Sequence, residues 1–164
     1  MDAAIWVGKM YRKANDNDVN ECARLFVHSS LNKIYRRSYA VVERDIRSHF
    51  CNDRFLIYED ETRHTIDAYI RYNMNDAFGS FPFLNTIVVS EDYIGKGIGK
   101  GLLYEMEKDV YAEKWSTKIF LTVAAANKRA YDFYSGYGYM AIGTIENMFR
   151  KDVDEILMYK VIRG

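Results

Sequence analysis

Apolar and polar residues alternate over "AAIWVGKMYRKA" (3–14), which predicts a first strand. The polar cluster from Asn15 to Asp18 then precedes Val19, Cys22, Ala23 and Phe26, spaced three or four apart. Capping residues ahead of such a stripe predict a helix over about 17–28. "NKIYRRSYAVVERDIRSHF" (32–50) carries a second helical pattern, broken near Ser38. "RFLIYED" (54–60) and "TIDAYIRYNM" (65–74) predict strands, with the acidic "EDETR" as the hairpin turn between them. "NDAFGS" (75–80) reads as a loop, and "FLNTIVV" (83–89) as a strand with β-branched residues.

The second half continues in the same manner. A helix is predicted over 99–114, with Leu102, Leu103, Met106 and Val110 on its apolar face. "KIFLTVAA" (118–125) is a largely apolar strand, and "NKRAYDFYSGYG" (127–138) a short helix ended by glycine. Strands follow at 139–145 and 155–162, with a loop over 146–155 between them. This order of elements predicts a mixed α/β layer fold around one sheet. One proline, Pro82, and no low-complexity linker or repeat leave residues 1–164 as a single domain.

Composition narrows the function classes. Lys plus Arg equal Asp plus Glu at 23 each, so the net charge is zero. A general nucleic-acid or membrane-surface binder would carry a basic excess, so neither partner is expected. Cys22 and Cys51 make neither a disulfide framework nor a zinc site, and no metal is expected. The first thirteen residues have no signal-peptide pattern, and no apolar run approaches the ~20 residues of a membrane span. A cytoplasmic location is the resulting expectation.

The chemistry concentrates in "EDYIGKGIGKGLLYEMEK" (91–108), where Gly95, Gly97, Gly99 and Gly101 fall at every second position. A P-loop would need glycine at Ile94 and a hydroxyl residue at Gly101, so that reading fails at both ends. A dinucleotide fingerprint fails as well, because the sixth position is Lys100 counted from Gly95 and Leu102 counted from Gly97. What remains is a strand, a short turn and glycines leading into a helix. Free N–H groups at such a helix start form an anion site, to which Lys96 and Lys100 add positive charge, and a pyrophosphate is the natural guest. A glycine turn that holds no ligand is the competing reading.

"VSEDYIGKGIGKGLL" (89–103) resembles the acyl-CoA-binding motif of the GNAT superfamily of N-acetyltransferases, Arg/Gln-x-x-Gly-x-Gly/Ala between a strand and a helix. Gly97 and Gly99 fill the two small positions, while Ile94 stands where Arg or Gln is usual. "NKRAYDFYSGYGY" (127–139) resembles the family's second hallmark through Asn127, Ala130, Phe133, Tyr134, Gly138 and Tyr139. The order of elements matches too, over nearly the whole chain.

The resemblance implies a mainly antiparallel central sheet of six to seven strands flanked by about four helices. It also implies transfer of the acetyl group of acetyl-CoA to a primary amine of a small molecule or peptide, directly in a ternary complex. The pyrophosphate would sit on the backbone of Ile94, Gly95, Lys96, Gly97, Ile98, Gly99 and Lys100. The pantetheine arm would pair with the strand edge at Ile87, Val88 and Val89 and with Asn127, beside Ala130 and Phe133. Tyr134 fills the position of the general acid. The glutamate that many relatives carry as base falls at Phe83, which leaves a water near Asn85 or the imidazole of His28 as candidates. The acceptor walls are expected from 27–39, 72–81 and 146–155, with Tyr35, Tyr39, Tyr72, Phe78 and Phe81 making them aromatic. A monomer or homodimer is expected. The departures at Ile94 and Phe83 keep open a non-catalytic acyl-CoA-binding domain of the same fold.

Overall fold

The computed structural model describes residues 9–115 and 117–163. In chain order the elements are β1 (Lys9–Lys13), α1 (Val19–His28), α2 (Ser30–Tyr35), α3 (Tyr39–His49), β2 (Arg54–Asp60), β3 (Thr65–Ala77) and β4 (Phe81–Val89). They continue with α4 (Ile98–Lys114), β5 (Thr117–Ala124), α5 (Lys128–Gly136), β6 (Met140–Arg150) and β7 (Val153–Ile162). Hydrogen bonding orders the seven strands β1-β2-β3-β4-β5-β7-β6. β4 and β5 pair in parallel at Phe83–Phe120 and Leu84–Leu121, whereas β1–β2, β5–β7 and β6–β7 are antiparallel. This is the mixed sheet that the sequence predicts. Residues 3–8 of the first predicted strand lie outside the described residues.

The helix count and two boundaries differ from expectation. The region 32–50 holds two helices, because Arg36 takes a left-handed φ of 51° at the end of α2 and Ser38 caps α3 by accepting the Val41 N–H. The described residues therefore form five α-helices, where about four were expected. β3 runs on to Ala77, so the polar pair Asn75 and Asp76 is strand. Both side chains are exposed at the strand end, where water solvates them and polarity is no bar to pairing. The loop expected over 146–155 is mostly strand, with only Lys151 and Asp152 between β6 and β7. Local polar bonds make that turn: the Asn147 side chain accepts the Asp152 N–H at 2.6 Å, and the Asn147 N–H donates to Asp154 Oδ1 at 3.1 Å.

The chain falls into two compact units, residues 1–71 with 86–106 and residues 72–85 with 107–164, and β3, β4 and α4 each run from one into the other. In the first unit, Val19, Cys22, Ala23 and Phe26 of α1 pack with Val42 and Ile46 of α3 onto Phe55, Ile57, Ile66, Tyr69 and Val88 of the strands. The α1 stripe read from the sequence is thus the helix face that is buried. Its start is fixed by Asn15 and Asp18, which cap each other's backbone, and by Arg12, which forks onto Asp18 at 2.8 and 3.0 Å. Arg71, almost buried, is held by Asp53 and by Asp45 at 2.9 Å.

Leu102, Leu103 and Met106 of α4 are fully buried in the first unit, and Val110 in the second. In that second unit the Tyr72 hydroxyl donates to Asp109 at 2.6 Å, and the Lys160 ammonium meets Glu107 at 2.8 Å while lying 4.2 Å over the Tyr137 ring. Burial raises the Glu107 carboxyl, and its bonds to Lys160 oppose that rise. Left-handed backbone recurs at Arg36, His64, Phe78, Trp115 and Asp152, at turns and element ends, and at Asn147 within β6, all with φ between 50° and 66°.

Gly101 marks a close approach. A Cβ there would collide with the phenol of Tyr11, which also donates to Ile98 O at 3.4 Å. Gly101→Ala gains about 1 kcal/mol of helix propensity, but the overlap costs about 1–3 kcal/mol. A net fall in the thermal midpoint is expected, and Tyr11→Ala in the same chain recovers part of it.

Candidate active site

β4 ends at Val89, and a 3-10 turn over Glu91–Tyr93 follows. Ile94 is extended, and Gly95 and Gly97 then take φ of 79° and 83°. L side chains disfavour this region, so glycine is required at both positions. A Cβ at either would meet no atom within 4 Å, so the space over the loop is open. The first α-type bond runs from the Gly101 N–H to Gly97 O at 3.0 Å. Helix geometry leaves the N–H groups of Ile98, Gly99 and Lys100 without a carbonyl one turn back. They form the positive end of a seventeen-residue helix. Lys100 is exposed, and the ammonium of Lys96 leans over the Tyr93 ring at 4.8 Å.

What holds this loop in place is a cluster that the sequence reading did not single out. Asp60, at the end of β2, accepts the backbone N–H groups of Thr62 and Arg63 at 3.0 and 3.2 Å and also the Thr62 hydroxyl. Its second oxygen accepts the Tyr93 hydroxyl at 3.2 Å and Arg63 Nε at 3.3 Å. Arg63 donates as well to the Tyr93 oxygen and to Asp67, and its guanidinium lies 5.4 Å from the centre of the Tyr93 ring. The Ser90 N–H is bonded to Asp67 O at 2.8 Å. The turn between β2 and β3 thus grips Tyr93, two residues before the first left-handed glycine. Asp-x-Thr at a chain reversal is a side-chain turn signal and marked part of this cluster in the sequence. These donors hold the Asp60 carboxyl well below the ordinary carboxylate range.

In the second unit, Asn127 opens α5, and its Oδ1 accepts the Ala130 N–H at 3.1 Å. The cap occupies the oxygen and leaves the amide NH2 as a donor. Tyr134 is buried, with its ring edge-on to Phe133 at 5.3 Å and to Tyr139 at 5.7 Å. Desolvation raises its phenol far above the ordinary value, so it is neutral and protonated at physiological pH. The Tyr139 N–H closes the helix end onto Tyr134 O at 3.0 Å. The Tyr139 hydroxyl is buried with no hydrogen-bond partner among the described residues.

Other expected residues are placed differently. Tyr72 is fully buried and bonded to Asp109, which makes it a core residue and not an acceptor wall. Its place in an alternating strand gave no sign of that partner, 37 residues away. Phe78 is exposed, and Phe78 and Phe81 both set their rings edge-on to Phe120. Phe83 is half-buried on β4 and carries no basic group. Asn85 and His28 are exposed, and the His28 ring bonds to the Arg24 carbonyl of its own helix. Among the described residues no helix is long and apolar enough to cross a membrane.

The sequence model of the acetyltransferase (GNAT) family matches residues 17–139, three quarters of the chain. The chain belongs to the GNAT family of acetyltransferases. Among curated proteins no sequence relative matches. Solved structures share the fold at low identity. A GNAT-family protein from Desulfovibrio desulfuricans is 18% identical with a TM-score of 0.79, covering 94% of this chain and 99% of its own. The spermidine N-acetyltransferase from Vibrio cholerae, solved with CoA and spermine, is 17% identical at 0.72, over 94% and 96%. The ribosomal-protein-S18-alanine N-acetyltransferase from Escherichia coli is 16% identical at 0.76, over 95% of each chain.

The Asp60 cluster predicts an acid-dependent stability. Because folding lowers this carboxyl's pKa, its contribution is complete above about pH 5 and starts to fall near the unfolded value of about 3.9. It is gone once the pH is below the folded value. Asp60→Asn is expected to lower stability at pH 7 and to flatten the decline between about pH 5 and 3, as read by denaturant unfolding at a series of pH values.

Proposed function

We propose that this chain, acting as one domain over 1–164, moves the acetyl group of acetyl-CoA to a primary amine of a small molecule or peptide. The observation that carries the reading is the glycine loop: two left-handed glycines with open space above them, running into the positive end of a long helix. The pyrophosphate of the donor lies along residues 95–100, on N–H groups other than that of Lys96, which donates to Tyr93 O at 3.3 Å. This cradle is made by backbone, so Ile94 in the place of Arg or Gln does not remove it. The pantetheine amides pair with the edge of β4 at Ile87 to Val89, and the Asn127 amide donates to the same arm. A backbone N–H near Val88 receives the oxyanion as the thioester carbonyl becomes tetrahedral.

The acceptor enters as the free amine and its nitrogen attacks the thioester carbon. The C–S bond breaks, and the departing thiolate takes the proton of the Tyr134 phenol. The tyrosinate left behind is a strong base and takes the proton that the new amide nitrogen sheds. This exchange returns Tyr134 to its starting state and needs no carboxylate in the place of Phe83. The named acceptors among the fold neighbours range from a polyamine to an alanine of a ribosomal protein, so the class stays at primary amines.

Phe83 in the usual glutamate place favours a second reading, an acyl-CoA-binding domain without turnover. A panel of amines with acetyl-CoA, read by thiol release, separates the two. Release above the hydrolysis background by any amine supports transfer; tight CoA binding with no release by any amine supports the binding domain.

Two variants test the parts. Gly97→Glu puts a side chain and a negative charge into the cradle and is expected to abolish CoA binding in calorimetry while the chain stays folded. Tyr134→Phe is expected to lower kcat by 10²-fold or somewhat less, at the lower end for an acid–base group, with CoA affinity nearly unchanged. The loss should shrink for donors with more acidic thiols.

A further inference from the structure

In the second unit Tyr139 is only 3% exposed, yet its hydroxyl has no hydrogen-bond partner among the described residues. A buried hydroxyl left unpaired lowers stability, and phenylalanine would fill the same space without that penalty. The side chain is also firmly held. Its backbone N–H is bonded to Tyr134 O at 3.0 Å, and its ring meets the Tyr134 ring edge to face with centroids 5.7 Å apart. A fixed donor with no acceptor at rest points to an acceptor that arises during the reaction.

Three ionisable groups lie within electrostatic reach of this hydroxyl among the described residues: Glu107 of α4, Tyr134 of α5 and Tyr137 at the end of α5. Glu107 is already matched, because its two oxygens accept from Lys160 of β7 at 2.8 and 2.9 Å. Lys160 also lies over the Tyr137 ring at 4.2 Å. The Tyr134 phenol differs, since burial alone raises it. Burial first, and then the Glu107 charge, keep the Tyr139 phenol protonated, so its hydroxyl is a donor at physiological pH. Of the three neighbours, only Tyr134 changes charge in the proposed reaction. A donor held beside an oxygen that turns negative stabilises the charged state more than the neutral one.

We infer that Tyr139 is a positioning residue for Tyr134, its hydroxyl donating to the Tyr134 oxygen as that oxygen becomes a tyrosinate. The inference rests on the reading of Tyr134 as general acid. The Tyr134 O–H breaks toward the departing sulfur and an S–H bond forms. The Tyr139 O–H stays intact throughout and turns to the new anion. When Tyr134 regains a proton from the amide nitrogen, that hydrogen bond lapses and both phenols are neutral again.

Tyr139→Phe removes the oxygen and keeps the ring. The variant is expected to fold with a thermal midpoint equal to or above that of the wild type, since an unpaired hydroxyl is lost. For an amine that turns over, kcat is expected to fall about tenfold, the low end for a hydrogen bond to a charged oxygen, with KM for acetyl-CoA unchanged. In the Tyr134→Phe chain the same change is expected to have no further effect on kcat, because no tyrosinate forms there. A second arm needs no turnover. With Tyr134→difluorotyrosine, fluorine NMR reads the ionisation of that one residue, and Tyr139→Phe is expected to raise its midpoint by about one pH unit. A lower thermal midpoint in Tyr139→Phe overturns the proposal, since the hydroxyl would then be paired at rest. An unchanged kcat, an equal loss in both backgrounds or an unmoved fluorine midpoint overturns it too. If no amine is acetylated, or Tyr134→Phe keeps full kcat, while the fluorine midpoint still moves, the fault lies in the proposed activity and not in the pairing of the two phenols.

Discussion

The hydroxyl of Tyr93 sits between Asp60 and Arg63, and the glycine loop depends on that contact. A helix start with open N–H groups can bind an anion only if the chain before it arrives from a fixed direction. Two glycines in left-handed backbone offer the opposite tendency, since each could adopt many conformations. Here the residue two positions earlier is buried, flanked by two cations and bonded through its oxygen to a carboxylate that also organises the β2–β3 turn. The loop is therefore set before any ligand arrives, which lowers the ordering entropy of binding. Asp60 satisfies the donors of Thr62, Arg63 and Tyr93, so the negative charge of this cluster is absorbed locally.

The second unit uses a different device. α5 is short, and its ends are fixed by Asn127 at one side and by Tyr139 folding back onto Tyr134 at the other. The Tyr134 ring meets those of Phe133 and Tyr139 edge to face, a geometry that aromatic quadrupoles favour. Burial keeps the Tyr134 phenol protonated, as the proposed role of proton donor to a departing thiolate requires. Close by in the same unit, the Lys160 ammonium lies between Glu107 and the Tyr137 ring, so its desolvation is offset by both a carboxylate and an aromatic face.

Much of this was legible in the residues. Positive φ at Gly95 and Gly97 is what dense glycine before a helical stripe foretells, and Asn127 caps α5 as its place before the stripe suggests. The α1 and α4 stripes name the buried side chains because helical period and burial are one fact seen twice. The rest depends on partners far along the chain. "EDETR" reads as an acidic turn, and nothing local says that its aspartate and arginine meet a tyrosine some thirty residues on. Tyr72 alternates as a strand residue should, yet whether its oxygen meets solvent or Asp109 is decided by where α4 packs. The break at Arg36–Ser38 was visible through Ser38, but the left-handed turn at Arg36 was not, since arginine has no preference for it. The hairpin of β6 and β7 was hidden by polar residues that its edge leaves in water.

The left-handed residues other than glycine have a bearing on how this sequence could change. Of these, Phe78 and Trp115 are among the side chains least suited to that backbone. For these two and for Arg36 the conformation costs on the order of 1 kcal/mol or more relative to the ordinary regions, whereas Asn147 and Asp152 are of the residue types that visit it readily. The strain lies at exposed chain reversals, apart from the packed interior and the glycine loop. The fold thus has room for added heat resistance in its turns, where glycine or asparagine would release that strain while every core contact stayed as it is.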